Sequence, residues 1–325
     1  MRYRLKHMLE YSLLRALHFV VNSTSERVAL CMGVTLAWLA QVTMRTRMKE
    51  ARRRIHEVFG DTVSNQEAHR IARLSLQSIT LNGIEMLRMS RLDEHWAKDH
   101  IVNHEVIEPL REHLRSGQGA ILAAPHIGNW HLAAVGMNHL CVPTFFVIAH
   151  QRNPLTNRFI NQMLAAGGGE GVCRKTGSMR AIIRNLRAGK TLAITPDVRS
   201  QQSAVSVTYL GGRANIPDGM ALFARQTDVP IFPCSTVREG LMRHRWTLHE
   251  PIIPDVSLDK VTDVQRMTQL VMSALEVDVR ANPSQYFWFN KRWILEPLLR
   301  GDGSATAPHP LYGPISPSVR QCPGG

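Results

Sequence analysis

The chain has 325 residues, 39 Lys+Arg against 26 Asp+Glu, a formal net charge of +13 and 44% hydrophobic residues, which suits one large globular domain with an appendage at each end. Five cysteines, Cys31, Cys141, Cys173, Cys234 and Cys322, contain no CxxC pair, so they point away from a disulfide framework and from a zinc site, and a reducing compartment is the default. The basic excess fits nucleic acid, an anionic membrane surface or an acidic protein, and only the position of the charge separates them.

Residues 1–44 hold two apolar stretches, Leu13–Val21 and Val28–Met44, separated by the polar run 22–27. The second is about 17 residues without a charge, roughly 25 Å as a helix, at the lower limit for crossing a bilayer. Thr35, Gln41 and Thr43 within it make an interfacial helix a competing expectation, with a buried helix of a soluble core as a third. No small-residue cleavage site marks a signal peptide. Residues 1–45 are therefore read as an N-terminal membrane-anchoring helix region. Directly after it come Arg45, Arg47, Lys49, Arg52, Arg53 and Arg54. Such a flank belongs on the cytoplasmic side, where anionic headgroups contribute about 1 kcal/mol for each nearby Lys or Arg. No aromatics are interleaved with this cluster, so nucleic acid is not expected as a partner.

Ser64–Met89 reads as a helix with a broad apolar face, opened by a capping box of Ser64 and Glu67. Glu85 lies near that face, and a solvated or salt-bridged carboxylate is expected there in preference to a buried acid. Val106–Leu114 reads as a helix, Gly119–Ala124 as a strand buried on both faces, and Asn129–Leu140 as a helix capped by the Asn129 side chain. Beyond it, strands at 142–149, 191–195, 205–210, 229–237 and 245–249 are interspersed with helices at 154–164, 178–186, 218–226 and 261–280. The alternation predicts an α/β fold over residues 46–300, a mixed, mostly parallel sheet flanked by helices. Residues 301–325, rich in Pro, Gly and Ser, read as a disordered tail.

The stretch AAPHIGNWHLA, Ala123–Ala133, carries the chemistry. His126 falls between a strand end and a helix start, at the carboxyl edge of an α/β sheet, where such folds bind their ligands. Two histidines at i and i+5 do not share a helical face and no HExxH motif accompanies them, so no metal is expected. Gly167–Gly171 lacks the spacing of a nucleotide loop and is expected to form a flexible loop over the site.

The blocks HIGNWHLAA, HQRNPLTNRFI, KTGSMRAIIRNLRAGKTLAITPD, YLGGRANIPDGMALFARQTDVPIFP and QYFWFNKRW occur in this order, and the chain to about Trp293 resembles the lipid A biosynthesis (lauroyl/myristoyl) acyltransferases of the lysophospholipid acyltransferase superfamily. The resemblance implies a cell inner-membrane protein with its catalytic domain on the cytoplasmic face. It implies transfer of a fatty acyl group from acyl carrier protein, or coenzyme A, to a hydroxyl of a lipid A precursor or related glycolipid or lysophospholipid. No cofactor is implied.

In that family the general base is the His of an H-x4-D/E motif, here His126. His131 stands where the motif has its carboxylate, and three readings stay open. A His126–His131 dyad works; Asp197, which ends a predicted strand, supplies the missing carboxylate; or the protein is a catalytically weakened or inactive homologue that binds lipid. Asn129, Arg152, Arg174, Lys175 and Arg213 lie in the matching blocks as candidate substrate-binding residues, the cations for phosphate groups. The block Gln285–Trp293 is expected to pack the core, with Lys291 and Arg292 at the membrane interface.

Overall fold

The computed structural model describes residues 4–148, 151–173, 178–200 and 204–295. Helices α1 (Leu5–Asn22) and α2 (Glu26–Thr43) form an N-terminal hairpin, and a 94° bend separates α2 from α3 (Arg45–Phe59). In α2 the small residues Ala29, Gly33 and Ala37 are buried; spaced four apart, they share one side of the helix. They let α2 lie close on α4 (Asn65–Leu87), where a side chain at Gly33 would come within 3.0 Å of Ile84. One face of the second apolar stretch is thus spent on packing, and no single helix among the described residues is long and apolar enough to cross a membrane. What the stretch builds is half of a hairpin that leaves Leu9, Leu13, Phe19, Trp38, Leu39 and Val42 exposed.

The basic flank divides in two. Arg45, Arg47 and Lys49 are exposed, whereas Arg54 is buried and donates to the carbonyls of Trp288 (2.8 Å) and Asn290 (2.7 Å). Arg54 therefore ties α3 to the C-terminal aromatic block. Ser64 caps α4 as expected, accepting from the Glu67 amide at 3.2 Å.

Helices α5 (Glu94–His100) and α6 (Glu108–Arg115) lead into β1 (Ala120–Ala123). The chain then runs through α7 (Trp130–His139), β2 (Thr144–Ile148), α8 (Pro154–Ala166), β3 (Glu170–Cys173), α9 (Ser178–Arg187) and β4 (Thr191–Ile194). A hairpin of β5 (Ala204–Tyr209) and β6 (Gly212–Pro217) stands apart from the main sheet. Helix α10 (Gly219–Thr227), strands β7 (Ile231–Glu239) and β8 (Arg243–Leu248), and the long α11 (Lys260–Ala281) complete the domain. The fold is mixed α/β with a mostly parallel sheet flanked by helices.

The main sheet is six-stranded in the order β3-β2-β4-β1-β7-β8, with β8 alone antiparallel. β1 is buried on both faces, as its uncharged sequence predicts. Ala120 and Leu122 pack with Leu110 and Met137 on one side, and Ile121 and Ala123 join the core of α9, α10 and α11 on the other. Gly167–Gly171, expected as a loop over the site, instead runs into β3, which pairs with β2 at the sheet edge. β3 is separated from β1 by two strands, so this segment does not begin as a cover for His126.

The topology also locates the site. β1 connects onward to β2, which lies beyond β4, while β4 connects onward to β7, which lies beyond β1. Adjacent strands whose connections leave in opposite directions open a crevice at their carboxyl ends. His126 follows β1 and Asp197 follows β4, so both stand at that crevice.

Candidate active site

The turn 125–129 is clamped from four parts of the chain. His126 accepts from the Phe287 amide through its carbonyl (2.9 Å), and the Gly128 amide donates to the Gln285 carbonyl (3.2 Å). Asn82 of α4 donates to the Gly128 carbonyl. Gly128 has φ +52°, and a Cβ there would fall 1.9 Å from the Thr236 carbonyl oxygen; the turn needs glycine both for its left-handed backbone and for its contact with β7. The aromatic block Gln285–Trp293 therefore does more than fill the core, because its backbone holds the turn that carries His126.

Asp197 supplies the strongest clamp. Its Oδ2 accepts from the His126 backbone amide at 2.8 Å and its Oδ1 lies 2.6 Å from His126 Nδ1. The Asp197 side chain is fully buried and that of His126 is 16% exposed. A carboxylate accepts only, so Nδ1 carries the proton and donates, which leaves the Nε2 lone pair free. A neutral imidazole with Nε2 as acceptor is the form a general base requires. The His126 ring packs edge-on against Trp130, with centroids 4.8 Å apart. Below it lie two buried tyrosines, Tyr209 and Tyr286, held well above their ordinary pKa by burial first and then by neighbouring groups that include Asp197. Both phenols therefore stay neutral.

A second carboxylate works one layer further out. Glu85 of α4 is 3% exposed; it is salt-bridged, one of the two expected states, but it is also a buried acid, and that part of the expectation is corrected. Arg238 on β7 binds its two oxygens, at 2.7 Å for Oε1. His244 Nε2, on β8, lies 3.1 Å from Oε1, and Asn129 donates to Oε2 at 2.6 Å. Burial alone would raise the Glu85 pKa, but His244 and Arg238, through charge and hydrogen bonds, outweigh it and hold the carboxyl far below the usual range. An apolar helical face gave no sign of this acid's partners, because Arg238 and His244 lie more than 150 positions away and meet it only through the β7–β8 register, where they are opposite one another.

The other residues singled out in the sequence fall as follows. Asn129 is buried, caps α7 by accepting from Leu132 (3.1 Å) and donates to Glu85; both ends of its amide are used on the turn, so it acts by positioning. His131 lies in the first turn of α7 and makes no hydrogen bond to His126 among the described residues. The residue reaches solvent, yet its ring lies 5.0 Å from that of Trp130, and desolvation first and His126 second push its pKa down. The orienting position that the motif gives to a carboxylate is filled from β4 by Asp197. Arg152 and Arg213 are both exposed, Arg213 Nε donating to Ser206 at 2.6 Å, and neither is hydrogen-bonded to the His126–Asp197 pair. Arg174, Lys175 and the tail 301–325 lie outside the described residues. Among the described residues no group of three His, Cys, Asp or Glu side chains is placed to hold a metal ion.

Beside the turn, a narrow cavity opens between α7 and the sheet, lined chiefly by apolar side chains from Trp130 and Ala133 to Met137, Trp246 and Leu248. Trp130, whose ring packs against His126, is one of its lining residues. At about 40 Å³ it has room for a small group only.

Residues 2–294 match the model of the bacterial lipid A biosynthesis acyltransferases. Among curated proteins, the phosphatidylinositol mannoside acyltransferase of Mycolicibacterium smegmatis is 24% identical over 235 residues, 70% of this chain and 73% of the relative. The protein of the same name from Mycobacterium tuberculosis is 25% identical over 202 residues, 58% of this chain and 59% of that relative.

Proposed function

The chain belongs to the bacterial lipid A biosynthesis acyltransferase family, and we propose that it transfers a fatty acyl group from a thioester donor, acyl carrier protein or coenzyme A, to a hydroxyl of a glycolipid or lysophospholipid, with His126 as general base. The observation that carries this reading is the His126–Asp197 pair, whose 2.6 Å contact fixes the tautomer with Nε2 unprotonated. In the step, the acceptor oxygen attacks the thioester carbonyl carbon while Nε2 takes the hydroxyl proton. The tetrahedral adduct then expels the thiolate, which takes the proton back from His126, giving an ester and a free thiol. Asp197 stabilises the imidazolium in between. A positioned base contributes about 10² to 10⁴ in rate. Because Asp197 provides the carboxylate, His131 does not by itself argue for a protein that has lost transfer.

In the same reading the exposed Leu9, Leu13, Phe19, Trp38 and Val42 of the α1–α2 hairpin sink into the acyl boundary, and Arg45, Arg47 and Lys49 meet anionic headgroups on the cytoplasmic face of the inner membrane. This is an in-plane anchor and needs no span.

The test is transfer by purified protein. Wild type and His126→Ala are supplied with acyl carrier protein and coenzyme A thioesters and with lipid A precursors, phosphatidylinositol mannosides and lysophospholipids, and products are read by mass spectrometry. The expected result is product in wild type and loss by about 10² to 10⁴ in His126→Ala. Full activity in the variant removes His126 as base, and no product with any pair of substrates favours a lipid-binding homologue.

A further inference from the structure

A second cavity, of about 220 Å³, lies where α4, α5 and α7 meet the start of α2, and is lined by Glu26, Glu85, Arg88, Arg91, Trp96 and Leu132 among others. Four of these side chains carry charge, and the two acids are already matched. Glu85 is held by Arg238 and His244. Glu26 accepts from Trp96 Nε1 at 3.4 Å and lies 3.1 Å from His100 Nε2. His100 Nδ1 in turn lies 3.0 Å from the Trp96 carbonyl oxygen. Both ring nitrogens of His100 thus face acceptors, which only the imidazolium satisfies. Burial opposes that charge, but Glu26 outweighs it and raises the His100 pKa. Glu26 and His100 are therefore an ion pair.

The two arginines have no such match. Arg88 is 8% exposed, and among the described residues no carboxylate lies within 4 Å of its guanidinium or of that of Arg91. Both are hooked instead to the backbone of the loop joining α1 to α2. Arg88 Nη1 donates to the Val21 carbonyl and, at 3.1 Å, to that of Thr24. Arg91 donates through Nε to Asn22 Oδ1 at 3.3 Å and through Nη2 to the Asn22 carbonyl. Carbonyls take up hydrogen bonds but leave the charge unmatched. Nε and Nη2 of Arg88 make no hydrogen bond among the described residues, and neither is sealed from solvent, so they open on the cavity that Arg88 lines. Burial first, and the like charge of Arg91 second, push the Arg88 pKa down. A buried cation is ordinarily paired with an anion, and this one faces a cavity in place of a carboxylate.

We propose that this cavity is a binding site for a phosphate group, held by the unpaired edges of Arg88 and Arg91, and that a lipid carries the phosphate there. The planar guanidinium suits phosphate because it meets two of its oxygens at once. The volume is many times the roughly 10–15 Å³ that admits one water, enough for a phosphate and the first atoms of its ester. Charge selects the same class: with Glu26 and Glu85 paired, the lining presents two positive charges that a neutral sugar or a cation leaves unmatched. The lipid part rests on the reading of the α1–α2 hairpin as an in-plane anchor. Phe19, Val20 and Val28, on either side of the loop, are 71%, 40% and 49% exposed, so a phosphate in the cavity has an apolar surface nearby for its acyl chains. Neither arginine is hydrogen-bonded to the His126–Asp197 pair among the described residues, so the site seats a headgroup and takes no part in proton transfer.

The experiment measures binding of three probes to the purified full-length protein by calorimetry: dihexanoyl phosphatidic acid, dihexanoylglycerol and inorganic phosphate. Wild type is compared with Arg91→Gln, Arg91→Glu and the double variant Arg88→Gln/Arg91→Gln. Arg91 is exposed, so its single variants are expected to keep the fold even if loss of Arg88 loosens the hairpin, and melting curves check each protein. Wild type is expected to bind phosphatidic acid about ten- to hundredfold more tightly than the diacylglycerol, the worth of charged hydrogen bonds. Arg91→Gln is expected to lose about tenfold of that affinity. Arg91→Glu, which sets a carboxylate beside Arg88, and the double variant are expected to lose the preference altogether. Amide exchange at 21–25 and 88–96 is expected to slow when phosphatidic acid binds. No preference for phosphatidic acid in wild type overturns the proposal, and so does a preference that survives in both Arg91→Glu and the double variant. Inorganic phosphate that binds as tightly as the lipid, and is lost in the same variants, supports the phosphate site and overturns lipid as its carrier. Flotation with vesicles tests the anchor separately: if wild type does not partition, the hairpin reading fails on its own account, and the probes in solution still decide the site.

Discussion

The turn at 125–129 and the α1–α2 hairpin break the ordinary rule of burial in opposite directions. Around the turn, Asp197, Glu85 and Arg238 are sunk below the surface and every clamp is polar. On the hairpin, Leu5, Leu13, Phe19 and Trp38 stand more than half exposed. Charged groups are rarely buried unless paired, and large apolar patches rarely face water. Each exception has its own physical reason. The turn spends buried, fully partnered carboxylates on fixing one imidazole, whereas the hairpin leaves large apolar side chains uncovered, as the proposed in-plane anchor requires. A substitution in the turn should therefore alter turnover or folding, and one in the hairpin should alter where the protein resides.

The largest effect that sharpens this contrast is expected at Asp197. Asp197→Asn keeps the size of the side chain but removes the charge that stabilises the imidazolium and frees the His126 tautomer. Transfer is expected to fall by about 10² to 10⁴, with the melting temperature little changed and binding to vesicles untouched. Retained activity would mean that His126 needs no carboxylate. Glu85→Gln comes next and is read as stability. Breaking a buried pair costs about 3–5 kcal/mol, since Arg238 and His244 are left without their anion. The sign with pH follows from the direction of the shift. The folded-state pKa of Glu85 lies below its ordinary value of 4.5, so its contribution is present above that value and is lost as pH falls through the folded one. Denaturation of wild type and variant should differ most near neutrality and converge in acid; a constant gap would assign the effect to packing alone.

On the hairpin, Phe19→Ser is expected to weaken partition onto anionic vesicles by about 1.5–3 kcal/mol, measured by flotation, while kcat on a detergent-dispersed acceptor stays as in wild type. A fall in kcat with unchanged partition would erase the division between the two regions. The smallest effect is expected at His131. His131→Ala should change transfer by about twofold or less, the range of a surface substitution, and His131→Glu should gain little, because Asp197 already holds Nδ1. A large gain in His131→Glu would show that the motif carboxylate has a role that Asp197 does not replace.

Much of the molecule was legible in the sequence, for reasons that are local. The uncharged run at 120–123 specifies a strand covered on both faces, Ser64 and Asn129 announce helix starts through their side-chain oxygens, and the alternation of strands and helices specifies a parallel sheet. Two elements escaped because their local signals were misleading. The basic run after Met44 hides α3, whose Arg54 turns inward to carbonyls of Trp288 and Asn290. The glycines at 167–171 hide the start of β3, which is stabilised by its pairing with β2.

His126 was marked by the sequence itself, since a strand end, a polar turn and a helix cap fix its place at the sheet edge. Its partner was decided only by tertiary structure. Five positions along the chain stands His131, on a helix that carries it out of hydrogen-bonding reach; 71 positions along stands Asp197, 2.6 Å away. Parallel pairing of β1 with β4 makes neighbours of residues that follow their ends, and no spacing in one dimension encodes that adjacency. The same holds for Glu85 with Arg238, 153 positions apart. Local sequence singled out the histidine, and strand order brought the carboxylate that holds its ring.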